Sequence, residues 1–332
     1  MQLAVIDKLG DLEQIAKEWE ELLRHIGDIT PFQLPPWQLT WWKHFGSGLL
    51  RVLVFRENGR MVGIVPCFLH EWNNRRQLTL IGSGLSDYLE PAIEDQHAGV
   101  ILEFLQRYLQ SREEWDVCDW QDLNAGSRLA ALRGDGFRVE EREGQPCSRI
   151  PLNGTYDEFW RGRGKDLRRN VRRYGLRAAE AGAVEFKVIE KPDAALLHSV
   201  IQLHTARWEA KGEPGMIAAN HAAEFLCDVG LLFADRGMVR VFTIHFQGQT
   251  AALNLAFLFR NTVFAYMSAF DPQHEHFGFG RKLLHDAIKH CYESGVAYWN
   301  FMRGDEPYKF SWGAECVAKS RMFVEKVRLL QA

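Results

Sequence analysis

Twice in this chain a hairpin, a strand, a helix and another strand follow one another in the same order. An internal duplication of this kind fixes the architecture of both halves together, so it constrains the fold more than any single motif. The first copy opens with "LRVLVFRENGRMVGIVPCFL", two β-rich runs around Asn58-Gly59, a strong hairpin signal. "QLTLIGSGLSDYL" reads as strand then loop. "AGVILEFLQRYLQ" has helical spacing, with Val100, Leu102, Phe104, Leu105 and Leu109 apolar, and "WDVCDWQDL" reads as a strand. The second copy is "MVRVFTIHFQGQTAALNLAFLFRNTVFAYMSAFD", with turns at Gln247-Gly248 and Arg260-Asn261. A helix follows from about Gly280, with Leu283, Leu284, Ala287, Ile288 and Cys291 apolar. "VAYWNFMRG" closes the copy as a strand. Alternation of this kind predicts an α/β sheet in each half.

The chain has 332 residues, the natural size of two domains. The Gly, Pro and Ser of "GQPCSRIPLNG" place the boundary near Cys147–Asn153, giving domains at 1–150 and 151–332. Apolar residues make up 46%, enough for a core in each. A net charge of −3 gives no global argument for nucleic acid or a membrane surface. The opening "MQLAVIDKLGDLEQIAKEWEELL" carries acids and no long apolar run, unlike a signal peptide. No stretch approaches the roughly 18 apolar residues of a membrane span. Cys67, Cys118, Cys147, Cys227, Cys291 and Cys316 are scattered without a C-x-x-C pair, as in a reduced cytoplasmic protein without zinc.

Gly278-Phe279-Gly280 stands directly before the second-copy helix. Glycine lets backbone N–H groups approach a ligand, and a helix N-terminus offers unpaired N–H groups with partial positive charge. The stretch reads either as an anion site, with phosphate the usual anion, or as a turn with two glycines. The first copy has "LSDYLEPAIEDQHAG" at the equivalent place, where acids would repel a phosphate. Only the second copy is therefore expected to bind a phosphate-bearing cofactor. A Rossmann fingerprint and a Walker A loop are absent.

"YMSAFDPQHEHFGFGRKLLHDAI" and "YWNFMRGDEPYKFSWGAE", with "LHTARWEAKGEPG" and "LRRNVRRYGLRAAEAGAVEF", resemble the GNAT acetyltransferases over roughly 155–325. The closer resemblance is to the CelD-type group of cellulose and exopolysaccharide biosynthesis, which shares a fold with FemAB-type aminoacyltransferases. It implies tandem GNAT-like domains, each a mixed, mostly antiparallel sheet flanked by helices, with the first degenerate. It implies acetyl-CoA or another acyl-CoA as co-substrate and no metal. The GNAT loop is usually Arg/Gln-x-x-Gly-x-Gly/Ala, and this chain departs from it with Glu275 at the first position. By this resemblance the pyrophosphate lies over the loop at Phe277, Gly278, Phe279, Gly280 and Arg281, with Lys282 adding charge. The strand "AYMSAF" splays from "YWNFMRG" to take the pantetheine arm, and the thioester sits near Ser268–Asp271.

Acyl transfer needs a group to take the acceptor's proton, support for the oxyanion and a proton for the leaving thiolate. Asp305 is the expected base or acceptor-orienting group, and Tyr308 the acid; the alternative is that Asp305-Glu306-Pro307 is a solvated turn. Arg303, Glu306 and Lys309 of the same motif are candidate acceptor contacts. Asp271 is a second acidic contact or a turn starter before Pro272. His274, His276 and His285 lack a ligand pattern and are not expected to bind metal.

In "RGRGKDLRRNVRRYGLRAA", Leu167, Val171, Tyr174 and Ala178 form an apolar stripe, and Lys165, Arg169, Arg173 and Arg177 share another face. Cations this dense repel unless an anion or partner acids are near. Arg169 and Arg173 therefore mark a site for a phosphate-bearing acceptor such as a nucleotide sugar or lipid-linked sugar. tRNA is an alternative ligand, and a basic helix paired with acids elsewhere is the plain reading. Arg207 and Trp208, with Lys211 and Pro214 beyond, read as a sugar platform, or Trp208 as a core residue. Asp87 and Tyr88 resemble the Ser-Asp-Tyr stretch of the CelD-type group and are read as acceptor contacts.

The expected activity is transfer of an acyl group, acetyl foremost, to nitrogen or oxygen of a sugar or amino-sugar precursor of a cell-surface polysaccharide. The expected partner is that small-molecule or lipid-linked acceptor, with no nucleic acid and no integral membrane segment. The rivals are a FemAB-like transferase using aminoacyl-tRNA and a non-catalytic binding protein.

Overall fold

The computed structural model describes residues 1–210, 212, 213, 215 and 221–327, and divides the chain into two compact units. In the first unit the strands are β1 (Gln2–Ile6), β2 (Leu49–Glu57), β3 (Arg60–Trp72), β4 (Arg75–Leu80), β5 (Ala92–Ile93), β6 (Val117–Asn124) and β7 (Phe137–Glu143). Its helices are α1 (Leu9–Gln14), α2 (Ala16–Arg24), α3 (Pro35–Phe45) and α4 (Ala98–Ser111). The second unit carries β8 (Cys147–Pro151), α5 (Tyr156–Arg161), α6 (Lys165–Ala181), β9 (Val184–Ile189), α7 (Ala194–Glu209), α8 (Ala222–Asp235), β10 (Val239–Phe246), β11 (Gln249–Phe259) and β12 (Thr262–Phe270). After β12 come α9 (Phe279–Glu293), β13 (Tyr298–Arg303), α10 (Pro307–Ser311) and β14 (Glu315–Val317), and the chain then forms β15 (Lys319–Lys326).

The first sheet runs β1-β2-β3-β4-β6-β15-β7, with β5 beside β3, and the second runs β14-β8-β13-β12-β11-β10-β9. Both are mixed and mostly antiparallel, as expected. The division differs from the expected one at two points. It falls between Gln145 and Pro146, because β8 pairs with β13 and β14. The last strand also leaves the second half: β15 lies between β6 and β7 of the first sheet.

The hairpin turns form where the sequence placed them. Asn58 and Gly59 have φ of 51° and 81°, and Gln247 and Gly248 have 51° and 83°. Positive φ at both central residues is the type I′ geometry that matches strand twist. Each unit has its own core. Trp115, Trp120 and Phe55 are buried in the first, and Trp299, Phe242 and Trp312 in the second. Burying each such side chain contributes roughly 1.5–3 kcal/mol. On α9 the side chains of Phe279, Leu283, Ala287, Ile288 and Cys291 are buried, and this face packs on β10, β11 and β12. The expected stripe of α6 also forms, with Val171 and Ala178 buried and Leu167 packed beside them.

One parallel pair stands at the centre of each sheet. In the first, Gln77, Leu78 and Thr79 of β4 pair with Val117, Cys118 and Asp119 of β6. In the second, Thr262, Val263 and Phe264 of β12 pair with Tyr298, Trp299 and Asn300 of β13. Pairing then stops in both. Shortly beyond, a non-glycine residue turns left-handed: Asp122 (φ 58°) in β6 and Met302 (φ 65°) in β13. β13 is irregular against β8 between Asn300 and Arg303, and β6 is irregular against β15 near Trp120. Such bulges bend a strand away from its neighbour. In the second unit the separated ends, with α6, α9 and α10, bound a cavity.

Candidate active site

The cavity has a volume of about 600 Å³ and lies within the second unit. Ala265, Ser268, Ala269 and Phe270 of β12 line one side, and Trp299 and Phe301 of β13 the other. Leu283, Leu284 and Ala287 of α9 and Leu167 of α6 extend an apolar wall, and Tyr308, Ser311 and Trp312 close one end. A slot of this shape admits an extended, mainly apolar arm, while unpaired strand edges supply backbone donors and acceptors.

Gly278, Phe279, Gly280 and Arg281 stand at the cavity. Gly278 is left-handed (φ 64°), and a Cβ there would lie 2.8 Å from the ring of Tyr174, so this position is fixed as glycine twice over. At Gly280 a Cβ would meet only Phe270, at 3.5 Å. The fold itself does not require that glycine. The expected set of anion-binding N–H groups is smaller than the motif suggested. The Gly278 N–H is given to Glu275 O at 2.9 Å, and those of Arg281 and Lys282 go to Gly278 O at 3.0 and 3.2 Å. Among the described residues only the Phe279 and Gly280 N–H groups of this turn lack an acceptor. Lys282 does not add its charge to the cavity, because its Nζ pairs with Asp286 at 2.9 Å. Burial alone would raise the Asp286 carboxyl, but hydrogen bonds from His285 and Lys282 together bring it below its usual value. Phe277 is buried against Phe246 and Phe279 and is part of the core, not of the lining.

Polar groups gather at one part of the cavity. Asn254 of β11 is 2% exposed, and its Nδ2 donates to Ser268 Oγ at 2.6 Å. Arg207 of α7 donates to Ser268 O at 2.9 Å and lies 4.5 Å from the Phe270 ring centroid. Burial lowers the Arg207 pKa, while Tyr308 and Glu275 act on it in the opposite sense. Tyr308 keeps 52% of its surface open, yet its hydroxyl is pushed up to about 12 by desolvation and Glu306, with Arg207 opposing. It is therefore a protonated donor at neutral pH. Asn254 Oδ1 and Arg207 Nε are buried without a partner among the described residues. Buried polar atoms of that kind call for an explanation, and both belong to residues that line the cavity.

Several expected contacts lie elsewhere. Asp305 is exposed and outside the lining. Glu306 pairs with Lys309 at 2.8 Å. Lys309 is 2% exposed, and its Nζ holds Arg303 O at 2.6 Å and Gly304 O at 3.1 Å. Lys309 therefore fixes the turn after β13 and presents no charge to an acceptor, and Arg303 supplies a carbonyl to that clamp. Asp271 starts a turn, accepting from the Gln273 N–H and from His274 Nδ1. Trp208 gives its Nε1–H to His204 at 2.8 Å and stands outside the described lining of this cavity. Burial lowers His204 to about 4, leaving a neutral acceptor. Lys211 and Pro214 lie outside the described residues. Asp87 and Tyr88 belong to the first unit, where Tyr88 is only 6% exposed beneath Lys319. Burial at that level conflicts with an acceptor contact at Tyr88.

Arg169 pairs with Asp166 at 2.8 Å on the surface. Arg173 and Arg177 flank Tyr174, the residue packed on Gly278. Sequence reasoning missed Asn254 and Asn170 in the lining and met Glu275 only as a departure from the loop pattern. Glu275 is the one carboxylate among the lining residues. Among the described residues no group of His, Cys, Asp and Glu side chains is placed to hold a metal.

Residues 165–310, which lie within the second unit, match the acetyltransferase (GNAT) domain family. No curated protein matches the sequence significantly. Solved structures resemble the whole chain. FemX superposes with a TM-score of 0.66 at 12% identity, covering 98% of each chain. A conserved protein of unknown function from Bacteroides thetaiotaomicron gives 0.59 at 13%, covering 98% of this chain and 100% of that one. L-PGS from Bacillus licheniformis gives 0.56 at 12%, covering 94% and 91%. At these identities the likeness is one of fold. Among the described residues no helix is long and apolar enough to cross a membrane.

Proposed function

We propose that this chain is an acyl-CoA-dependent acyltransferase of the CelD-type group, with acetyl-CoA as donor. The acceptor is the amino or hydroxyl group of a sugar precursor of cell-surface polysaccharide. One observation carries the donor: the β12–β13 split opens beside the start of α9, where the Phe279 and Gly280 N–H groups are unspent. The N–H pair suits a pyrophosphate and the apolar slot a pantetheine arm. The acceptor rests on the resemblance of "YWNFMRGDEPYKFSWGAE" to that group. The reading places the reaction in the cytoplasm, where the free cysteines stay reduced.

In this reading the acceptor enters beside Glu275, which takes its proton, in the role first given to Asp305. Asn254 and Ser268 supply hydrogen-bonding groups near the reacting carbonyl. Tyr308, protonated at neutral pH, donates to the departing thiolate. An aminoacyl-tRNA donor is the second reading. It is favoured by α6, where Lys165, Arg172 and Arg173 have no ion-pair partner among the described residues. The test is release of free thiol from acetyl-CoA against a panel of amino-sugar and nucleotide-sugar acceptors. Acceptor-dependent release is expected. Failure to bind acetyl-CoA, with salt-sensitive binding of aminoacyl-tRNA, would replace the donor.

A further inference from the structure

Three guanidinium groups surround one aromatic ring at the mouth of the cavity. Arg173 lies 5.0 Å from the Tyr174 centroid, Arg177 5.9 Å and Arg281 5.6 Å. Two of them come from α6 and the third from the first turn of α9. Tyr174 itself packs on Gly278, and Arg177 donates to His276 O at 3.2 Å, so the cluster is tied to the loop that precedes α9. None of the three has an ion-pair partner among the described residues, and the one acid pair on α6 belongs to Arg169. Cations gathered so closely repel one another, and a multivalent anion between them relieves that repulsion.

We infer that Arg173, Arg177 and Arg281 form a second anion subsite, separate from the α9 N–H pair and suited to a phosphomonoester: the 3′-phosphate of coenzyme A. The inference rests on the donor reading above and deepens it. A pyrophosphate over the Phe279 and Gly280 N–H groups leaves the adenosine end of the donor outside the slot, on the side where Arg281 emerges from α9. A phosphomonoester is dianionic near neutral pH and accepts several guanidinium hydrogen bonds, which a free ribose hydroxyl does not. Arg173 is thereby moved from the acceptor to the donor, and α6 becomes the outer wall of the donor site.

The experiment is calorimetry of the full chain with CoA and with 3′-dephospho-CoA, for wild type and Arg173→Ala/Arg177→Ala. Wild type should prefer CoA by at least about tenfold, a difference near 1.4 kcal/mol. In the double variant CoA should fall to the affinity of dephospho-CoA, which should itself be unchanged. Arg281→Gln provides a second variant that closes part of the gap should the double variant fold poorly. Equal affinities in wild type would overturn the inference and leave the donor reading standing. Selectivity that persists in every variant would do the same. Binding of neither ligand would overturn both. Steeply salt-dependent tRNA binding, lost with these arginines and without CoA selectivity, would assign the cluster to nucleic acid.

Discussion

The two sheets are built on one plan and differ in what fills the gap at their centres. In both, a three-residue parallel pair ends at a bulge. In the second unit the separated strands and α9 enclose the cavity. In the first, the loop after β4 takes up the edge that β4 abandons. The Leu89 N–H donates to Asp122 O at 2.9 Å, and Glu90 accepts from the Asn124 N–H and from Ser127 Oγ. Ser86, Tyr88, Leu89 and Glu90 are all buried. Two sheets of one plan can thus share a bulge and still differ in the gap beside it, because the loop that follows, not the sheet, differs. Acids and a proline stand in that loop where the second copy has Gly-x-Gly.

Filling the second gap should erase the difference, and this is the largest expected effect. Ala265→Trp places a bulky ring in the slot from the lining of β12. Acetyl-CoA affinity by calorimetry should fall at least about a hundredfold, near 2.7 kcal/mol, with the circular dichroism of the fold kept. Unchanged affinity would move the donor away from the β12–β13 split.

Next in size are the proton-handling groups. Tyr308→Phe and Glu275→Gln should each lower kcat by about a hundredfold, within the range for general acid–base groups, and leave donor affinity nearly unchanged. Asp305→Asn should stay close to wild type, since Asp305 is exposed outside the lining. A large loss at Asp305 with a normal Glu275→Gln would return the base to the site chosen from sequence.

A structural effect follows. Lys309→Met takes its donor from Arg303 O, while Gly304 O keeps the Ser148 hydroxyl at 2.6 Å, and losing a carbonyl's buried donor costs about 1–3 kcal/mol. Denaturant melts should show a loss of about 2 kcal/mol, with kcat falling too because Tyr308 is the neighbouring residue. An unaffected melt would remove the clamp from the account.

The smallest effect belongs to the filled gap. Burial raises the Glu90 pKa, against the hydrogen bonds from Ser127 and Asn124. A carboxyl raised in the folded state holds a proton there that the unfolded chain has lost. Stability therefore falls as pH rises from the ordinary carboxylate value through the raised one, and is fully restored below it. Glu90→Gln should flatten that part of the melting temperature–pH curve and leave acetyl-CoA binding intact. A pH dependence unchanged by the substitution would show that Glu90 does not titrate with folding.

Much of this contrast was legible in the sequence. Asn58-Gly59 and Gln247-Gly248 announced their turns, because few residues accept positive φ at both central positions. Gly278-Phe279-Gly280 announced the start of α9, and its counterpart in the first copy has acids and a proline instead. What escaped depended on distant partners. "KSRMFVEK" has ordinary strand composition, and nothing local says that it returns to the first sheet. Lys309 reads as a surface cation until Arg303 O and Gly304 O are seen around it. Asn254 sits inside an apolar strand run, where one amide carries no signal until Ser268 faces it across the β11–β12 register. Charge on α6 was visible, but its neighbour was not, since Tyr174 and Gly278 meet only in the fold.

Hydrogen exchange with and without acetyl-CoA tests the central contrast most directly. The account predicts protection of backbone amides over 265–281, above all at Phe279 and Gly280, and none over 81–91 of the first unit. Protection of 81–91, or none over 265–281 at saturating acetyl-CoA, would contradict it.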